Sequence, residues 1–179
     1  ESFEEYLDVV ASTPRVIDVG AQIAHGPLRA YVMGDRASSH DPAPDSDIAA
    51  MAQLVERALR AGAFGFSTSR TSLHRAKDGE LVPGTFADER ELMAIGEAIK
   101  RAGHGVFQFA PEHARVAVEE WPWMRRLAAV TGQPVSVNLS QPDTMPDLWR
   151  TVLQQLDAAH ADGLPLYAQV AGRSIGILY

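Results

Sequence analysis

Four times in this chain an amphipathic stretch runs into a glycine and a short β-rich run follows within a few residues. Ala61-Gly62 leads to Phe64-Gly65-Phe66-Ser67, and Ala102-Gly103 to Val106-Phe107-Gln108-Phe109. Thr131-Gly132 leads to Pro134-Val135-Ser136-Val137-Asn138, and Asp162-Gly163 to Leu166-Tyr167-Ala168-Gln169. A helix often stops on a residue in the left-handed region, which glycine enters without a Cβ clash, so each phrase reads as helix, stop and strand. The glycines lie 41, 29 and 31 residues apart, close to one βα unit with its loops, and the longest interval holds an insertion.

Periodicity supports the helices. Ile48, Met51, Val55 and Leu59 recur three or four apart, as do Leu92, Ile95 and Ile99, and then Leu148, Val152, Leu156 and Ala159. Start signals agree: Asp45 or Ser46 opens the first, Asp88 with Glu91 resembles a capping box, and Pro146 suits a first turn. The third helix is expected to run regularly from Pro122, with Trp123, Met124, Leu127 and Val130 on its apolar side. Upstream, Arg15–Gly20 reads as a further strand preceded by a short helix around Phe3 to Val10. Strand alternating with helix across short loops requires parallel pairing and right-handed crossovers.

The expected fold is therefore α/β, with about five parallel strands alternating with helices. Two architectures carry that pattern: an open doubly wound sheet, or part of a closed (β/α)8 TIM barrel. A whole barrel takes about 250 residues, and five strands in 179 residues make roughly its middle five-eighths. Neither GxGxxG nor GxxxxGK[ST] follows any strand, which weakens the nucleotide-binding sheet. The start without methionine and the apolar run Ile175–Tyr179 suggest a single-domain piece, residues 1–179, from the centre of a longer barrel.

Composition narrows the chemistry. A formal charge of -7 leaves no broad positive surface for nucleic acid. Zero cysteines exclude disulfides, thiolate zinc sites, a cysteine nucleophile and iron-sulfur clusters, in keeping with a cytoplasmic location. No apolar run reaches the roughly 18 residues that span a bilayer, so no membrane partner is expected.

Two long segments break the βα rhythm, Ala24 to Asp45 and Arg70 to Ala87, and both follow a strand's carboxyl end. In a barrel that rim builds the active site. The polar residues at the strand ends are Asp18 and Gln22, Ser67 to Arg70, Gln108, Asn138 with Ser140 and Gln141, then Gln169 and Arg173. Nearly all are uncharged hydrogen-bonding groups, able to orient a polar substrate or simply to satisfy loop backbone. The six histidines form neither HxH nor HExxH, so no local metal motif exists. His25 and His74 follow strands on the rim and are site candidates. His104 and His160 sit by helix ends and His40 in a Pro-Asp loop, all read as solvated. Ser67-Thr68-Ser69 is not a GxSxG elbow, which disfavours a serine hydrolase.

Several phrases together resemble the D-aminoacylase (N-acyl-D-amino-acid deacylase) branch of the amidohydrolase superfamily. His25-Gly26-x-Leu28-Arg29 followed by Met33-Gly34 resembles that family's GHxxLR and MG. Ala58-Leu59-x-Ala61-Gly62-Ala63-Phe64-Gly65-Phe66-Ser67-Thr68 resembles its EALxxGAxGxST, and Glu91-Leu92 the EL of the next helix. The resemblance covers about the first half of the chain. It implies a metal-bearing (β/α)8 barrel that hydrolyses an amide with a metal-activated hydroxide, zinc being the usual ion. It also implies histidine ligands at the ends of the third and fourth strands, where this chain has Gln108 and Asn138. An amide carbonyl is a far weaker zinc ligand than imidazole, so no metal ligand is assigned here and no zinc is expected on this chain itself.

Three functions remain open at this point. The first is an amidohydrolase-like barrel acting on an N-acylated or other C–N amide substrate, with His25, Arg29, Ser67, Thr68, Ser69, Arg70, His74, Gln108 and Asn138 around the substrate. The second is a metal-free barrel that binds a small molecule or supports a partner subunit. The third is a cyclic-amide hydrolase of the dihydroorotase or hydantoinase type. The unpaired edges of a partial barrel are expected to drive self-association.

Overall fold

The computed structural model describes residues 2–39 and 41–173. Helix α1 (Phe3–Ser12) precedes strand β1 (Gln22–Ala24) and helix α2 (His25–Met33). The chain continues through α3 (Asp45–Arg60), β2 (Gly65–Ser69), α4 (Glu89–Ala102), β3 (Val106–Ala110), α5 (Trp121–Thr131), β4 (Val135–Asn138), α6 (Leu148–Ala161) and β5 (Leu166–Gln169).

The five strands form one sheet in chain order, and each neighbouring pair is parallel. A doubly wound sheet reverses its order at a switch point and carries helices on both faces. Here the order never reverses, and burial is one-sided. Phe66, Phe107, Phe109, Val137 and Leu166 are at most 1% exposed, whereas the alternate residues Tyr167 and Gln169 are open to solvent. The buried face meets Met51, Val55 and Leu59 of α3, Leu92, Ile95 and Ile99 of α4, and Met124 and Leu127 of α5 in one hydrophobic cluster. Burying each such side chain stabilises by about 1.5–3 kcal/mol. Rings continue the packing along the sheet, with centroids 5.1 Å apart for Phe66–Phe107 and 5.2 Å for Phe109–Trp123. The opposite face carries Gln22, Ser67, Ser69, Gln108, Ser136 and Asn138, a polar surface that a closed barrel turns inward.

Two expectations fail. The first strand is not Arg15–Gly20, where Val16, Ile17 and Val19 are all exposed, but Gln22–Ala24. Pairing decides this: Gln22 stands opposite Gly65, and Phe64 donates its N–H to the Ala21 carbonyl at 2.8 Å. β-branched composition without a partner does not make a strand. The second correction concerns 24–45, read as an irregular rim segment. It contains α2 and a 3₁₀ turn, Gly34–Ser38. Gly26-Pro27 looks like a break, but a proline in the first helical turn gives up an N–H that had no partner anyway.

The remaining elements stand within a few residues of their expected places. Asp88 caps α4 by accepting the Glu91 N–H at 3.0 Å. α5 opens with Trp121-Pro122 after a wide π turn, Val116–Glu120. Pro146 falls just before α6 instead of inside its first turn. Glycines 103, 132 and 163 close their helices at φ of 82°, 64° and 75°. His40 and the run Ile175–Tyr179 lie outside the described residues.

Candidate functional site

The carboxyl ends of β1 to β4 open on a cleft of about 370 Å³, lined by Gln22, Ser67, Ser69, His74, Gln108 and Asn138, together with Ala24–Pro27, Thr68, Val82, Pro83 and Ala110. Strand alternation aims Ser67 and Ser69 at the open face. Ser69 Oγ lies 2.7 Å from Nδ1 of His74, which fixes that ring on the segment after β2. Gln108 reaches across β4 and donates through Nε2 to Oε1 of Gln169 at 3.1 Å. Among the described residues no aspartate or glutamate lines this cleft.

His25 and Thr68 also contribute to the cleft wall, but their polar atoms are engaged elsewhere. Thr68 follows the buried alternation of β2 and is 5% exposed, with Oγ1 2.8 Å from Nδ1 of His25. His25 Nε2 lies 2.6 Å from Oε1 of Glu91, whose Oε2 accepts Arg29 Nη1 at 2.7 Å. Burial pushes the His25 pKa down; Glu91 opposes this, while Arg29 and Arg70 add to it. A neutral ring thus donates Nε2–H to Glu91 and accepts the Thr68 hydroxyl at Nδ1. Carboxylate, imidazole and hydroxyl in this sequence resemble an activated nucleophile. The hydroxyl faces the helix layer, however, so the arrangement pins α2, β2 and α4 together.

Arg29 and Arg70, both counted among the substrate contacts, do not line the cleft. Arg29 is 1% exposed and held by Glu91. Arg70 Nη1 donates to the Ala87 carbonyl, and its Nε approaches Glu120 Oε1 at 3.4 Å. Glu120 in turn accepts Trp123 Nε1 at 2.5 Å, so Arg70 ties the 70–87 segment to α5.

Sequence reasoning missed two residues. From the sequence Glu91 looks like part of a helix start alone, yet it is fully buried. Its signal was legible: it sits four residues before Ile95, an acid on the apolar stripe of α4. His113, five residues past Gln108, was not assigned to the site. It stands at the rim with Nδ1 3.1 Å from Ser140 Oγ. Burial lowers its pKa, Glu112 opposes that, and His74 adds to the lowering.

The chemistry of this donor set does not suit a metal. Among the described residues no group of three or more His, Cys, Asp or Glu side chains could hold an ion. Gln108 and Asn138 offer only amides at the strand ends, and the Gln108 amide is already bonded to Gln169. No helix among the described residues is long and apolar enough to cross a membrane.

No protein-family model matches the chain. D-aminoacylase of Alcaligenes xylosoxydans xylosoxydans is 41% identical over 68 residues, which make up 38% of this chain and 13% of that protein. A solved D-aminoacylase, studied for its binuclear metal centre, superposes with a TM-score of 0.78 at 22% identity, over 96% of this chain and 34% of that one. N-acyl-D-glutamate deacylase of Bordetella bronchiseptica, solved with zinc and a phosphonate mimic of the tetrahedral intermediate, gives a TM-score of 0.74 at 20% identity over the same shares. The resemblance to the D-aminoacylase branch is borne out, and the sheet matches part of a TIM-barrel amidohydrolase. The chain spans 34% of these solved structures and 13% of the curated relative.

Proposed function

We propose that these five strands and their helices are the central part of a larger amidohydrolase-type barrel that hydrolyses the C–N bond of N-acyl-D-amino acids, and that this part orients the substrate. One observation carries the reading: the polar groups lining the cleft at the ends of parallel strands are amides, hydroxyls and the imidazoles of His25 and His74, with no carboxylate among the described residues. Such groups hold an amide by its carbonyl and N–H without supplying a strong base. In this reading Ser67 and Asn138 bond the acyl amide, and Gln108, braced by Gln169, sets the floor between them. Burial of the strand residues beneath keeps these groups in fixed register, so that the amide is held in one orientation.

The relatives' zinc does not fit this chain's own rim, so no step through a metal is derived from these residues. Amides at 108 and 138 equally favour a second reading, a barrel that binds a small polar molecule without hydrolysing it. Assay of the full-length protein against N-acetyl-D- and N-acetyl-L-amino acids, with metal analysis of the same sample, separates the two. Turnover of D-substrates that falls at least about ten-fold in Asn138→Ala supports the first reading. A folded protein that binds N-acetyl-D-amino acids without turnover overturns it in favour of the second.

A further inference from the structure

Two imidazoles stand at the carboxyl end of the sheet, His74 on the segment after β2 and His113 on the turn after β3, each beside a serine of a neighbouring strand end. Ser69, the last residue of β2, stands opposite Ala110 of β3 and holds His74 by Nδ1 at 2.7 Å. Ser140, two residues beyond the end of β4, lies 3.1 Å from Nδ1 of His113, which belongs to the 3₁₀ turn after β3. The rings are near enough that charge on His74 lowers the proton affinity of His113. When each serine hydroxyl donates to Nδ1, the neutral ring carries its proton on Nε2, where it is a hydrogen-bond donor. A serine at each strand end therefore orients each ring, as an outer partner orients a functional histidine.

Among the described residues the cleft has no acid in its lining, which leaves its floor free of like charge for a negative ligand. Glu112, whose charge acts on His113, is engaged by the backbone N–H and the hydroxyl of Ser72, both at 2.8 Å. Arg115 also acts on Glu112 and is itself paired with Glu119. Two N–H donors at the lip stand beside a floor of neutral amides and hydroxyls. An N-acyl amino acid carries the matching pair of groups, a carboxylate next to a secondary amide.

We propose that His74 and His113 form the docking site for the substrate's carboxylate, with the acyl amide lying over Ser67, Gln108 and Asn138. This rests on the reading of the cleft as an N-acyl-amino-acid site. A hydrogen bond from a neutral donor to a carboxylate is about twice as strong as one to a neutral acceptor, so the pair discriminates acid from amide.

The test measures binding to the full-length protein by calorimetry with two probes. One is the ketomethylene isostere of N-acetyl-D-alanine, in which CH2 replaces the scissile N–H; the other is its carboxamide. The wild type is expected to prefer the acid by about ten-fold, and His74→Ala and His113→Ala each to weaken binding of the acid more than that of the carboxamide, so that the preference falls by about three-fold in each. A cooperative thermal unfolding transition shows that each variant is folded. If His113→Ala does not fold, Ser140→Ala frees the ring with less disruption and is expected to lower the preference by a smaller factor. An undiminished preference for the acid in the folded variants overturns the carboxylate site and leaves the amide-binding reading standing. Failure of the wild type to bind either probe overturns both.

Discussion

Glu91 shows how one buried acid organises the neighbourhood of the cleft. Its two oxygens serve His25 and Arg29, and through His25 the hydroxyl of Thr68, joining α4, α2 and β2 at a point beneath the open face. Breaking a buried pair by deleting one partner leaves the other charge without compensation, so Glu91→Ala is expected to cost about 3–5 kcal/mol in chemical denaturation. His25 adds a dependence on pH. Its folded-state pKa lies below the ordinary value of 6.5, chiefly through burial. Below that pH the unfolded chain takes up a proton that the folded ring refuses, so the stability present above pH 6.5 is lost progressively on acidification. The loss is at most about 1.4 kcal/mol per pH unit for one group. Urea unfolding of the wild type and of His25→Asn between about pH 7.5 and 5.5 is expected to give a shallower dependence in the variant, and parallel curves would refute the assignment.

Among the elements, close approach matters as much as helix stopping. A Cβ on Gly65 would stand 2.2 Å from the carbonyl oxygen of Val106 and 2.8 Å from its nitrogen, so Gly65→Ala must push β2 away from β3. Gly103 meets nothing within 4 Å, and only its φ of 82° resists a side chain. Gly103→Ala is expected to cost about 1–2 kcal/mol, and Gly65→Ala more than that together with weaker ligand binding, because Ser67 moves with its strand; equal losses in denaturation would contradict this. These two glycines also mark what was legible in the sequence. Gly103 and its counterparts at 132 and 163 announce helix ends locally, and the strands that follow were placed within a residue or two. β1 was missed because only its ladder to Gly65–Ser67 defines it, and that ladder is forty residues distant in sequence. At the cleft, Ser67, Ser69, His74, Gln108 and Asn138 could be found because strand ends predict a rim. Arg29, Arg70 and Thr68 could not be sorted from them, since only the packing of α4 and α5 shows that their polar groups turn to Glu91, Glu120 and His25.

At the scale of the whole molecule, the sheet has chain order without reversal, one face under helices and the other face polar. Helices seal one face of such a sheet from water, and its polar face is suited to facing further strands of a barrel. Among the described residues β1 pairs only with β2 and β5 only with β4, so each presents a row of backbone N–H and C=O groups along one edge. β1 is three residues long and β5 four, and neither carries a proline or a charge that would blunt pairing. Exposed apolar groups lie close to these edges: Tyr167 on β5, and Tyr31 on α2, which follows β1 directly. A groove of about 770 Å³ between α1 and α2, lined by Phe3, Tyr6, Ile23, Leu28, Tyr31 and Leu54, continues this surface beside β1. We propose that residues 1–179 on their own self-associate through these edges. In sedimentation velocity the species is then heavier than the 19.4 kDa of one chain, and Tyr167→Lys, which adds a charge to the edge strand, shifts it toward the monomer. A single 19.4 kDa species at high concentration would show that the sheet tolerates its open edges in water and would remove the proposal.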